Sequence, residues 1–125
     1  FSTLISNNRK TRLLLSDSQY KFFAPKYIFV ELFEHKETII QKAHISESEI
    51  YELLDNILQH IHFVGNDFIS TNQYWQAYRL CKDVDEEDTP FVALTLALKA
   101  KYWTRDDTLK VHLRSQGFND FFEPY

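Results

Sequence analysis

A chain of 125 residues suits one compact domain, expected over residues 1–125, and leaves little room for two. Apolar residues make up 44% and aromatics 16%, enough for a real core, while two glycines and three prolines argue against long disordered linkers. The formal net charge of −4 argues against a simple nucleic-acid-binding module but not against a metal site, whose carboxylates add to the negative balance and whose cation offsets them.

Residues Thr3 to Ser16 read as mostly helix, with Leu4, Ile5, Leu13 and Leu14 as apolar anchors. Tyr20 to Phe23 reads as a short buried strand ended by Pro25, which suits the first turn of a following helix. That helix runs to about Ala43, with Ile28, Leu32 and Ile39 on one side. Ser46 and Glu49 then form an S-x-x-E capping box. The helix they open carries Ile50, Leu53, Leu54, Ile57, Leu58 and Ile61 at an amphipathic spacing. His62 to Val64 looks like a second strand, and Ser70 or Thr71 to Cys81 like another helix.

An acidic loop, KDVDEED, follows. Asp88 is a candidate N-cap, with Thr89 and Pro90 opening a helix that is apolar nearly all round and so buried on most sides. Lys101 to Thr104 reads as a strand. Asp106 or Asp107 caps the last helix, Gly117 ends it, and Phe118 to Phe122 adds a short final strand. Helices alternating with short aromatic strands argue for a parallel sheet covered by helices.

Cys81 is the only cysteine, so no intramolecular disulfide is possible, which fits a reducing cytoplasm. It has no nearby His or CxxC partner and reads as a buried structural thiol. The longest apolar stretch, Phe91 to Ala100, is too short to span a bilayer and is broken by Thr95 and Lys99. The opening FSTLISNNRKTR lacks the order of a signal peptide. No methionine occurs anywhere, so the sequence is expected to begin downstream of the true N-terminus.

The sharpest chemical signal lies between Asp83 and Asp107. Asp85, Glu86, Glu87 and Asp88 crowd before the buried helix, and Asp106 and Asp107 follow the strand after it. The helix runs one way and the strand runs back, so Asp88 and Asp106 are expected at the same edge. Convergent carboxylates repel and need a counter-charge, which Mg²⁺ or Mn²⁺ supplies through oxygen ligands. Such a cation activates water and stabilises charge on a phosphoryl oxygen. The plainer reading is a helix cap and a solvated acidic loop.

The stretch DEEDTPFVALTLALKAKYWTRDD resembles the second half of a PIN domain: an Asp before an Ala-rich buried helix, then a strand ending in T-x-D. The helix Asp matches Asp88, and T-x-D matches Thr104, Arg105 and Asp106. APKYIFVELFEHKE resembles the family's helix with an acidic E-L pair, which places that role on Glu31. FSTLISNNRKTRLLL resembles the segment after the family's first strand. Such a strand ends in a metal-binding Asp, and this chain begins just after where it should stand. About a dozen further residues are therefore expected upstream, a length scaled to one strand and its turn.

The resemblance implies an α/β fold, three-layer α/β/α with a short, mostly parallel central sheet. It implies a metal-dependent ribonuclease using Mg²⁺ or Mn²⁺, with Asp88, Asp106 and Glu31 in the catalytic centre and Asp85 and Asp107 as second ligands. Thr104 would hydrogen-bond a carboxylate or an ordered water. RNA is the implied substrate; an antitoxin and a second copy of the chain are the implied partners, as for toxins of bacterial toxin–antitoxin pairs. Periodicity alone does not choose Glu31 over Glu37.

Arg9, Lys10 and Arg12 form a small basic patch suited to RNA phosphates, or ordinary solvated charges. Tyr74, Trp75 and Tyr78 suit base stacking or helix packing. His60 and His62, two apart, would share a face of one strand as a metal pair does. Two rival readings stand beside the nuclease. One is a PIN-like module that binds without catalysis. The other is a plain helical interaction domain, which predicts no shared edge for Asp88 and Asp106.

Overall fold

Residues 9–124 are described in the computed structural model, where short strands interrupt a series of helices. The elements are α1 (Arg9–Ser16), β1 (Phe22–Pro25), α2 (Tyr27–Glu34), α3 (Lys36–Ala43), α4 (Glu47–His60), β2 (Ile61–Val64), α5 (Thr71–Cys81), α6 (Thr89–Leu98) and α7 (Asp107–Ser115). The chain divides into two units, Phe1–Val64 and Gly65–Tyr125. It is a mixed α/β chain, as expected, with parallel strand pairing.

In the first unit β1 and β2 pair in parallel, Phe22 opposite Ile61 and Pro25 opposite Val64. Parallel strands need a long crossover, and α2, α3 and α4 provide it. Pro25 ends β1 rather than opening the next helix; it lacks an N–H, so a strand end tolerates it, and Lys26 N–H donates to the Val64 carbonyl at 2.9 Å. The expected helix to Ala43 is two helices broken at His35, with no Pro or Gly to announce the break. Ile28, Leu32 and Ile39 are nonetheless buried together, as their spacing predicts.

The Ser46–Glu49 capping box forms in full. Ile50, Leu53, Leu54 and Ile57 bury the inner face of α4, while Leu58 is exposed. Ile61 is buried too, but as the first residue of β2, because the backbone turns extended there. In α1 the buried positions are Thr11 and Leu15, one turn apart; Leu13 is exposed and Leu14 partly so. The expected anchors Leu4 and Ile5 lie outside the described residues. The α1 register is thus one residue off the pattern read from the sequence, since a short run of consecutive leucines does not identify its own inner face.

In the second unit α5 packs against α6, with Ala77 and Cys81 fully buried on one and Val92 and Ala93 on the other. A second capping box, Ser70 with Gln73, starts α5. Gly117, at φ 91°, ends α7 in the left-handed region, where a Cβ is disfavoured. The two aromatic strands expected after α6 reduce to one parallel bridge, Tyr102 with Phe121. Leu109, Leu113, Phe118 and Phe121 complete the core.

Candidate metal centre

Three carboxylates of the second unit converge through three separate local devices. α5 ends at Cys81, whose carbonyl accepts the N–H groups of Val84 at 3.0 Å and Asp85 at 2.8 Å. Cys81 is fully buried, so the acidic loop hangs from a fixed point. Asp85 Oδ1 then accepts the Glu87 N–H at 3.1 Å and caps a 3₁₀ turn over Glu86–Asp88.

Asp88 stands at the N-cap position of α6, as expected, but does not cap it with its side chain. It closes the 3₁₀ turn in helical conformation, φ −80° and ψ −5°, and its side chain makes no capping bond to α6. Capping needs an extended backbone that aims the side chain back at the first-turn N–H groups. Its carboxylate accepts the Tyr102 phenol instead, at 3.1 Å.

Tyr102 reaches Asp88 because the chain reverses after α6. Lys99 adopts φ 53° and ψ 43°, and the Ala100 N–H donates back to the Thr95 carbonyl at 3.1 Å. Residues 100–106 then run back toward the start of α6. At their end Asp106 Oδ1 accepts the Leu109 N–H at 3.1 Å and caps α7, while its own N–H donates to Thr104 Oγ1 at 3.2 Å. One ligand atom from each of Asp85, Asp88 and Asp106 lies within 4.8 Å of the others. A plain helical module with no shared edge for Asp88 and Asp106 is excluded by that distance.

The electrostatics follow from this crowding. Burial first, and then the charge of Asp85, push the Asp88 carboxyl up to about 6, against the pull of the Tyr102 phenol. Burial, and then the Asp88 charge, raise the Tyr102 phenol, which stays a donor. Burial, and then Asp88, push Cys81 up to about 11, consistent with an inert structural thiol. Three carboxylates offer an oxygen-only donor set, the kind that hard divalent cations take, and a cation among them would relieve the repulsion that raises Asp88. The residues therefore fit a hard divalent cation.

The other expected residues fall as follows. Thr104 bonds the backbone of Asp106 rather than a carboxylate. Asp107 is exposed as the first residue of α7, outside the three-carboxylate group. Glu31 belongs to the first unit and is exposed on α2. Arg9, Lys10 and Arg12 are exposed on α1. His60 and His62 do not share a strand: His60 ends α4 with its Nδ1 2.9 Å from the Asn56 carbonyl oxygen, and His62 lies in β2 against the Phe23 ring. Tyr102 is the site residue that reading the sequence missed. KYWT signalled only a buried strand, and nothing local marks a phenol that bonds fourteen residues back.

A PIN domain family model matches residues 1–116 of the chain. The chain belongs to the PIN domain family. No curated protein and no solved structure matches it. PIN domains are generally nucleases and usually use divalent metals, which is the chemistry an oxygen-only donor set suits. The matched span of this PIN domain contains Asp85, Asp88 and Asp106. None of its described helices is long and apolar enough to cross a membrane.

Proposed function

We propose that this PIN domain is a metal-dependent endoribonuclease that hydrolyses RNA phosphodiesters, the toxin of a toxin–antitoxin pair acting in the cytoplasm. The observation that carries the reading is the convergence of Asp85, Asp88 and Asp106 within 4.8 Å, in a chain of a generally nucleolytic family. Mg²⁺ or Mn²⁺ held there would neutralise negative charge on a phosphodiester and activate water.

Asp88 and Asp106 are the ligands we assign first, with Asp85 beside them and Asp107 as a further carboxylate at the same helix start. Thr104 holds the Asp106 backbone and so acts through it. Glu31 enters as a catalytic carboxylate on the family resemblance, and Arg9, Lys10 and Arg12 enter as phosphate contacts on their charge. The partners that follow are single-stranded RNA, an antitoxin and a second copy of the chain.

The test is cleavage of a labelled single-stranded RNA by the intact protein with Mn²⁺ or Mg²⁺, with EDTA, and with Asp88→Asn. Metal-dependent cleavage that disappears in the variant supports the nuclease. Several RNAs left intact, with no metal uptake by calorimetry, would transfer the assignment to a PIN-like binding module without catalysis. Glu31→Gln in the same assay tests that residue separately.

A further inference from the structure

We propose that Tyr102 is a positioning residue for the metal centre: its phenol holds the Asp88 carboxylate in the orientation from which that carboxylate takes the cation. This rests on the metal reading of Asp85, Asp88 and Asp106 and names a residue that acts through one of them.

The phenol donates to Asp88 Oδ1 at 3.1 Å, and Asp88 has no capping bond to α6 that would orient it otherwise. The donor itself is rigid. Tyr102 is 6% exposed, and its ring stacks on Phe91 at 6.3 Å and on Phe121 at 6.4 Å. Its backbone is held on both sides: its N–H donates to the Asp120 carbonyl at 2.8 Å, and its carbonyl accepts the Phe122 N–H at 2.9 Å. A ring so fixed can rotate little, and the hydroxyl it carries defines a point in space.

The chemistry of the donor matters as much as its place. A Lys or Arg at this position would neutralise Asp88 and compete with a cation. A neutral phenol orients the carboxylate while leaving its negative charge for the metal, the arrangement by which outer partners tune metal ligands. The same seven-residue return also carries Asp106, whose N–H is held by Thr104. One short segment thus supplies one ligand and aims another.

The competing account is a buried tyrosine that merely satisfies its hydroxyl on the nearest acceptor. Mn²⁺ titration by calorimetry on the intact protein separates the two. The proteins compared are wild type, Tyr102→Phe, and Phe91→Leu, which loosens the ring stack and keeps the phenol; each is checked for folding by its metal-free thermal midpoint. The expected result is that Tyr102→Phe weakens Mn²⁺ binding about tenfold with its metal-free midpoint little changed. Phe91→Leu is expected to lower the midpoint and to weaken Mn²⁺ binding clearly less than Tyr102→Phe does, since it keeps the phenol. Wild-type affinity in Tyr102→Phe overturns the proposal, as does an equal loss in both variants, which would make the effect one of packing. Wild-type protein that takes up no Mn²⁺ overturns the metal reading itself and this proposal with it.

Discussion

Asp106 Oδ1 accepts the backbone N–H of Leu109 at 3.1 Å, so one carboxylate starts the last helix and also joins Asp85 and Asp88. The two duties are separable by substitution. Asp106→Ala removes both the cap and the proposed ligand; it should cost about 1 kcal/mol of stability and abolish Mn²⁺ binding. Asp106→Ser keeps a capping oxygen without a charge, so it should hold most of the stability and still lose the metal. Thermal unfolding and Mn²⁺ calorimetry on both variants check this, and a serine variant that binds Mn²⁺ as wild type does would remove Asp106 from the ligand set.

The Asp88 carboxyl, raised from 3.8 to about 6 chiefly by burial and then by Asp85, makes the metal-free protein pH-sensitive in a defined direction. Its folded value lies above its unfolded one, so the native state holds the proton more tightly. Below about pH 4 both states are protonated and the group costs nothing. Between about pH 4 and about 6 the unfolded state has released this proton while the native state keeps it, so stability falls as pH rises through that window and levels off above it. In EDTA, lowering the pH from 7 to 5 should therefore stabilise the protein by up to about 1 kcal/mol, a figure discounted for solvent screening. Asp88→Asn should remove that slope and be the more stable protein at pH 7. Parallel melting curves for the two proteins across this range would contradict the assignment.

Divalent metal should reverse the sign of that effect near neutrality. A cation bound only by the native state adds about 2.7 kcal/mol at a hundredfold excess over its dissociation constant. Mn²⁺ should accordingly raise the wild-type midpoint at pH 7, and EDTA should return it. Asp88→Asn should show no such rise. Calorimetric scans with and without Mn²⁺ read this directly, and an equal rise in the variant would place the metal elsewhere.

Lys99 sits in the left-handed region at φ 53° where a side chain is disfavoured. Lys99→Gly should relieve that strain and stabilise the protein by up to about 1 kcal/mol. The competing term is the greater freedom that glycine brings to the unfolded chain. Denaturant unfolding decides between them: a destabilised glycine variant would show that unfolded-state entropy wins at this turn.

Much of the helical framework was legible because its signals act over three or four residues. Ser46 with Glu49, Pro90, and Asp106 with Leu109 each start a helix through contacts within one turn, and Gly117 ends one the same way, whereas the Ser70–Gln73 box went unread although the helix start beside it was placed. The buried positions of α2 and α3 followed from spacing, as did those of α4 except Leu58, which is exposed. The break at His35 and the register of α1 did not, since no residue type there favours one packing over its neighbour. Asp85, Asp88 and Asp106 were all named beforehand, though Asp88 stands at its N-cap position without making the capping bond expected there.

What the sequence determined by itself was the set of helices, their caps and the carboxylates available at two points on the chain. What only tertiary structure decided was that Asp85 takes the cap, that Asp88 is left for Tyr102, and that KYWT and the final aromatic run meet as a single bridge rather than two strands. The physical reason is range. A cap or an amphipathic face is settled by neighbours along one turn, whereas the Tyr102–Asp88 bond spans fourteen residues and depends on a reversal at Lys99, a residue type that carries no turn signal of its own.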